Sequence, residues 1–454
     1  MSEVKDIFAQ ANQLHGENKL DEAEALYDKL LTQNHDNPGL LATMGSLYLQ
    51  KQKFGLAISL MERSLSKVKE RQPEILSNLG LAYKYAGQHD KAMVLLKEAT
   101  VSKSPTSYAL TSYGSMFVQK GDAATAIDIL SQAVQLDESN SMAHWNLSLA
   151  LMEDGQWAKA WGHSDYGAFC KMRDYRKFDG IPEWDGKPGT TVLISGEQGI
   201  GDEIMFASML PDVLKTNNVV LECHERLVTL FKNSFGIPCY GTREERNLAL
   251  PWLKDHQIDA RIMIGSLGRY YRLSREAFPG TPYLKAESAP KSGKFRVGIS
   301  WTGGAKVGRI LARTVPLSWW RAILNNDCEF VSLQYTDCAD EIKIVNDSGY
   351  NIKQFPEIKA HDYNETAKLV QSCDLVISVC TSVIHLAGAL GVPCWVMTPN
   401  RPAWRYQNTG GMPWYRSVRL YRQPPGDSGS WIPVVQRVGL DLSEFLAKRE
   451  ERAA

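Results

Sequence analysis

Residues Thr191–Leu214 read TVLISGEQGIGDEIMFASMLPDVL. The β-favouring run Thr191–Ser195 passes into Gly196, Gly199 and Gly201, and an amphipathic helical pattern begins at once. This order of strand, tight turn and helix returns in Cys373–Asn400, CDLVISVCTSVIHLAGALGVPCWVMTPN, with the turn at Cys380, Thr381 and Ser382. Other short β-rich runs lie at Val219–Glu222, Arg296–Trp301 and Glu329–Gln334, separated by helical stretches. Alternation of this kind predicts parallel sheets covered by helices on both faces. Pro279, Gly280, Pro282, Pro290 and Gly293 mark a linker, so we expect two α/β lobes at 187–285 and 294–454.

Upstream the period changes. Ala23, Ala57, Ala92, Ala126 and Ala160 are spaced by 34, 35, 34 and 34 residues, and Ala11, Gly45, Gly80, Gly114 and Ser148 repeat the same intervals twelve positions earlier. Leu14, Tyr48, Tyr83, Phe117 and Leu151 keep phase, as do Gly87, Gly121 and Gly155. The pattern predicts a helix, a turn and a second helix per unit, with small residues where the helices cross. It resembles the tetratricopeptide repeat, with about five copies in residues 1–168 and a connector at 169–186. Such units stack into a superhelix with an open concave groove, and the resemblance implies a peptide or partner protein held there. A spacer or dimerisation module is the plainer alternative.

With 454 residues the chain is long enough for about three domains. Its 51 basic and 51 acidic residues cancel, which argues against a bulk nucleic-acid binder. No apolar run is long enough to span a bilayer and no secretion signal opens the sequence, so a cytoplasmic location is expected. All eight cysteines follow residue 169 without a CxxC pair, which suggests reduced core thiols.

Three glycines before a helix allow close backbone approach and present amides to an anion. The order here is GxxGxG rather than the dinucleotide GxGxxG, yet Glu222 ends the next strand where a ribose-binding acid would sit. An NAD-dependent oxidoreductase is therefore one reading of this lobe alone. Asp202, in the first helical turn, is either a cap and dipole partner or a general base, with Glu197 and Glu203 as competing bases. The Cys380–Ser382 turn lies where parallel sheets bind phosphates. His385, one turn on, reads as a core or supporting residue near that turn. Arg401–Arg422 interleaves five arginines with Trp404, Tyr406, Trp414, Tyr415 and Tyr421, a mixture suited either to a base and diphosphate or to packing.

Taken with the PEWDG lead-in at Pro182–Gly186 and the segment from Pro399 to Asp427, these motifs resemble the two-lobed GT-B glycosyltransferases of the heptosyltransferase-like group, in the branch carrying N-terminal tetratricopeptide repeats. The resemblance implies two Rossmann-like lobes, with the acceptor on the N-terminal side and a nucleotide-sugar on the C-terminal side. It implies inverting, metal-independent transfer without a cofactor to a protein acceptor; bacterial relatives include flagellin glycosyltransferases. By position Asp202 matches the general base. Gly199, Gly201, Trp301, Thr302, Gly303, Gln334, Thr381, Ser382, Val383 and His385 fall around the donor and its phosphates, with Lys306 or Arg309 as a neutralising cation. No metal site, nucleic acid or membrane span is implied, and the oligomeric state stays open. One departure stands out: the family's Asp before the Thr-Ser pair is Cys380 here, which points to an unusual donor or to a repeat scaffold with a degenerate transferase.

Overall fold

The computed structural model describes residues 2–453 apart from 103–104, 177, 245–249, 292, 304–310, 356–357, 359–360, 409 and 425–429. By internal contacts the chain forms two units, Met1–Ala150 and Leu151–Ala454. The helices of the repeat are α1 (Ser2–Gly16), α2 (Leu20–Gln33), α3 (Pro38–Gln50), α4 (Phe54–Ser66), α5 (Pro73–Tyr85), α6 (His89–Thr100), α7 (Ser107–Lys120), α8 (Ala123–Leu136), α9 (Ser141–Glu153) and α10 (Trp157–Ser164). They form a tetratricopeptide-like run of helical hairpins. The small residues do what their spacing predicts: Ala11, Ala23, Ala57, Ala92, Ala126, Ser148 and Ala160 are fully buried. A Cβ on Gly45 would come within 2.5 Å of Met61, and one on Gly80 or Gly114 within 2.6 Å of Leu96 or Leu130. Each hairpin turn places one residue in the left-handed region: Asn18, Gln52, Gly87, Gly121 and Gly155. The turn repeat therefore runs through all five hairpins, although glycine marks only three. Asn37, Thr106 and Asp122 cap α3, α7 and α8 by accepting from backbone amides.

The second unit holds two parallel sheets. The first comprises β1 (Thr191–Ser195), β2 (Asn218–Glu222), β3 (Cys239–Tyr240) and β4 (Ala260–Met263) in the order β3-β2-β1-β4. The second comprises β5 (Arg296–Ser300), β6 (Glu329–Ser332), β7 (Ile352–Lys353), β8 (Leu375–Val379), β9 (Cys394–Thr398) and β10 (Val418–Arg422) in the order β10-β9-β8-β5-β6-β7. Buried on both faces, β1, β5, β8 and β9 are nearly unbroken apolar runs, which is why they were legible in the sequence. In both sheets the strand order reverses beside the first strand, at β1/β4 and at β5/β8. A crevice opens outside the carboxyl ends of strands at such a reversal.

The connector is built into the first sheet, since Trp184 N donates to Arg261 O and Arg261 N to Pro182 O. Helix α10 also packs on this unit: Trp161 Nε1 donates to Arg272 O at 2.8 Å, and the Trp161 ring lies against Gly268. Trp157, Trp161, Phe206, Phe278, Trp404 and Trp414 form one aromatic cluster with centroid distances between 4.8 and 6.3 Å. For Trp404 and Trp414 packing is thus the use the structure shows, against the first-sheet side and α10. The long helix Ile432–Ala453 instead covers the second sheet with Val434, Val435, Val438 and Leu442. Among the described residues no helix is long and apolar enough to cross a membrane.

Candidate functional site

After β1 the chain turns through Gly196, Glu197 and Gln198 into the helix Ile200–Phe206, with Gly199 as its N-cap. Gln198 is held at φ 62° by two polar contacts, donating its N–H to Asp174 and accepting from Arg243. A Cβ on Gly196 would lie 2.6 Å from the buried Glu203 carboxylate, which would have to shift. The three candidate acids separate sharply. Glu197 is fully buried in a two-pronged pair with Arg173 (2.5 and 2.7 Å) and accepts from Gly265 N. Glu203 is fully buried against Arg243 and His224 N, and burial pushes its carboxyl up to about 7. Asp202 keeps 17% of its side chain exposed. Its Oδ2 accepts from Gly199 N at 3.3 Å, so it does act as a helix cap, while Oδ1 is buried toward Arg405.

What Oδ1 meets comes from the other sheet. Arg405 Nη2 stands 2.7 Å away, an ion pair without good hydrogen-bond alignment, since neither Asp202 Oδ1 nor Arg405 Nε has a hydrogen-bond partner among the described residues. Arg405 belongs to the short turn Trp404–Tyr406 between β9 and β10. Next to Asp202, a Cβ on Gly201 would lie 3.2 Å from Ser382 Cα and from His385. The glycine turn after β1 therefore abuts the turn after β8. There the helix Ser382–Leu390 begins at Thr381 with no side-chain cap, leaving its first amides open to an anion. Tyr363 OH donates to Ser382 Oγ at 2.9 Å, and Thr381 shares a hydrogen bond with Ser378.

Cys380 is buried in this turn. Burial pushes its thiol up to about 11 against the opposing pull of a Tyr406 hydrogen bond and of Arg313, Arg405 and Arg422. All three cations act on the position where the resemblance drawn from the sequence expects a carboxylate. Buried and facing Arg405, His385 is held neutral, its pKa well below the ordinary value. It lies 3.2 Å from Tyr415 OH, which meets Tyr283 OH at 3.3 Å, and Tyr283 donates to Ile204 O at 2.6 Å. His385 is thus a supporting residue that ties the two turns together.

No protein-family model matches the chain. Protein FlbA of Caulobacter vibrioides is 27% identical over 442 residues, covering 82% of this chain and 73% of that protein. BBSome complex member BBS4 of Bos taurus is 32% identical over 99 residues, 22% of this chain and 19% of its own. Among solved structures the chain is similar to YrrB, a TPR protein with an unusual peptide-binding site, at 20% identity, 37% coverage of this chain and 85% of that one, TM-score 0.28. It is also similar to TTC0263, a thermophilic TPR protein in Thermus thermophilus, at 16% identity, 37% and 90% coverage, TM-score 0.34.

Not every residue assigned from the sequence joins the cluster. Trp301 is a core residue, fully buried with Nε1 donating to Glu341 at 2.7 Å, and its ring presents no face to a ligand. Gln334 is a latch inside the fold: its Oε1 accepts from Ser300 Oγ, Trp301 N and Thr302 N, and its Nε2 donates to Thr336. Gly303 packs against Arg313. Lys306 and Arg309 lie outside the described residues. Val383 is buried, so only its backbone can serve an anion. Glu222, the ribose-binding candidate, is fully buried against Arg176 and Thr242, which removes the feature that favoured a dinucleotide. Arg405 and Arg422 were read in the sequence only as two members of a mixed run suited to a base and diphosphate or to packing, and nothing there singled them out. Together the cluster offers a part-exposed carboxylate, a convergent set of guanidinium groups and an open helix N-terminus, which are the parts needed to take a proton from one reactant and stabilise an anion on another.

Proposed function

We propose that the chain is a glycosyltransferase of GT-B type that moves a sugar from a nucleotide-activated donor to a protein acceptor captured by the repeats, with a flagellin-like protein as one such acceptor. The observation that carries this reading is the meeting of Asp202 with Arg405 and with the open start of the helix Ser382–Leu390. In the proposed reaction Asp202 accepts the proton of an acceptor hydroxyl as its oxygen attacks the anomeric carbon. The bond from that carbon to the donor phosphate breaks, and its electron pair leaves on the phosphate oxygen. Arg405, Arg422 and the amides of Ser382 and Val383 receive that charge, a role that needs no divalent ion. Attack opposite the leaving group inverts the anomeric centre.

A second reading is favoured by Cys380. A neutral thiol in place of a carboxylate fits a repeat scaffold whose transferase lobes bind but do not react. One experiment separates the two. The protein is screened by thermal shift against UDP, GDP, ADP and CMP sugars, and a candidate acceptor is then analysed by intact-mass spectrometry with wild type and Asp202→Asn. Stabilisation by one nucleotide class and a sugar-sized mass increase that Asp202→Asn abolishes support the enzyme. Nucleotide binding without any mass increase supports the scaffold, and no binding at all removes both donor-based readings.

A further inference from the structure

One lysine of the repeat unit stands where the repeat itself asks for no charge. By the repeat period Lys84 occupies the position of His15, Leu49, Val118 and Met152, spaced by 34, 35, 34 and 34 residues. It lies near the end of α5, in the row where α3, α5 and α7, the first helices of successive hairpins, pack side by side. The charges of those three helices are Glu74 in the first turn of α5, Lys84, and Lys120 in the last turn of α7. Acids gather instead on α2, with Asp21, Glu22, Glu24 and Asp28. Lys84 is partly buried and has no carboxylate partner among the described residues; burial lowers its ammonium to about 8, so it is still charged at neutral pH.

The ammonium is nevertheless held in place. Lys84 Nζ donates to Ser115 Oγ at 2.9 Å, and Ser115 in turn donates to Ser112 O at 2.7 Å. One of the three N–H donors is thereby fixed and two remain. Tyr108 OH donates to Asn78 at 2.9 Å, so Lys84 and Asn78 border the same seam between α5 and α7. Two exposed rings share it: Tyr85, 57% exposed, with its centroid 6.0 Å from Lys84 Nζ, and Tyr108, 44% exposed. Tyr85 is backed by Phe54, stacked at 5.5 Å. We propose that this seam binds a segment of the protein acceptor through an aspartate or glutamate side chain, which takes the two remaining donors of Lys84 while a neighbouring apolar side chain lies on Tyr85 and Tyr108. The proposal rests on the reading that the repeats hold a protein partner, and it supplies the chemistry by which they select one. A single cation beside two rings matches one carboxylate; a polyanion such as a nucleic acid needs several.

The full chain is panned against a random peptide library displayed on phage, in parallel with Lys84→Met and Lys84→Glu. Methionine is the residue at the equivalent position of α9, Met152, so Lys84→Met should keep the melting temperature of wild type. We expect wild type to enrich peptides with an acid beside an aromatic or aliphatic residue, Lys84→Met to lose that enrichment, and Lys84→Glu to prefer lysine or arginine there. A selected peptide, resynthesised with a fluorescent label, should bind Lys84→Met about tenfold or more weakly by anisotropy. Replacing the peptide's acid by the corresponding amide should cost as much without touching the fold, and the two changes together should cost no more than either alone. Lys120→Met, at the exposed end of α7, should leave the affinity unchanged. The inference is overturned if wild type enriches nothing over the phage background, if the enriched peptides lack acids, or if the amide peptide or Lys84→Met binds as tightly as the original pair. No donor and no transfer enter this selection. Acid selectivity at Lys84 in a protein that binds no nucleotide removes the transferase reading alone, and nucleotide binding without that selectivity removes this inference alone.

Discussion

Asp202 and Glu203 are neighbours in the chain with opposite surroundings. Consecutive helical positions point about 100° apart, so one carboxylate faces the crevice while the next is driven under Gly196 against Arg243. Exposure separates Asp202 from the fully buried Glu197 and Glu203, and on the proposed reading it makes Asp202 the base. Asp202→Asn should lower transfer by about 10²-fold or more with little change in thermal stability, measured as turnover and melting temperature on the same preparation. Glu203 has a measurable signature of its own. Its folded-state value is raised from 4.5 to about 7 by burial, so the folded protein holds this proton more tightly than the unfolded chain does. The stabilisation is complete below about 4.5 and is lost as pH rises through about 7. Chemical denaturation of wild type should therefore show stability falling between about pH 4.5 and pH 7, and Glu203→Gln should flatten that slope; an equally steep slope in the variant would assign it to other groups.

At the scale of elements, helix crossings in the repeat are set by glycines with different neighbours. Ala is favoured over Gly in a helix by about 1 kcal/mol, but a new Cβ on Gly80 or Gly114 meets the branched Leu96 or Leu130, where overpacking costs about 1–3 kcal/mol. Gly45 faces Met61, an unbranched side chain that can move aside. Gly80→Ala and Gly114→Ala should each destabilise by up to about 2 kcal/mol and Gly45→Ala by less, as read from urea midpoints. Between the two sheets the approach is less tight, 3.2 Å for a Cβ on Gly201, but there it meets the backbone of Ser382, which cannot rotate aside as a side chain can. Gly201→Ala should weaken binding of the stabilising nucleotide about tenfold or more by moving the two turns apart, with thermal-shift titration as the measure.

Much of this level was legible in the sequence. Helical hairpins repeat because each contacts the next in the same way, and buried parallel strands appear as continuous apolar runs. The strands that escaped notice were β3 and β7, two residues each, β4, and the edge strand β10, whose VRLYR carries arginines at Arg419 and Arg422. Two turn positions of the repeat escaped as well, since Asn18 and Gln52 adopt the left-handed conformation without being glycine. Of the candidate site, the two turns and Asp202 were legible, whereas Arg405, Arg422 and the supporting roles of Gln334 and Trp301 were not. A side chain's partner from a distant element leaves no periodic trace.

For the whole molecule, the boundary between its two units falls within α9, so α10 belongs with the sheets although its sequence continues the repeat. Trp157 and Trp161 are nearly fully buried there, and removing a buried tryptophan costs about 3–5 kcal/mol. A chain beginning at Ser141 should remain monodisperse and show cooperative unfolding, whereas one beginning at Phe169 should expose Trp404 and Phe278 and aggregate, as size-exclusion chromatography would reveal. By itself the sequence determined the repeat and its period, the alternation of strands and helices, and the two turns able to meet an anion, because these follow from local spacing and from which residues a buried element tolerates. Only the tertiary structure decided that the two turns abut, that Asp202 and not Glu197 or Glu203 faces the crevice, and that Arg405 closes on it. Those outcomes depend on how two sheets distant in sequence pack, and the glycines that permit the approach carry no record of what they approach.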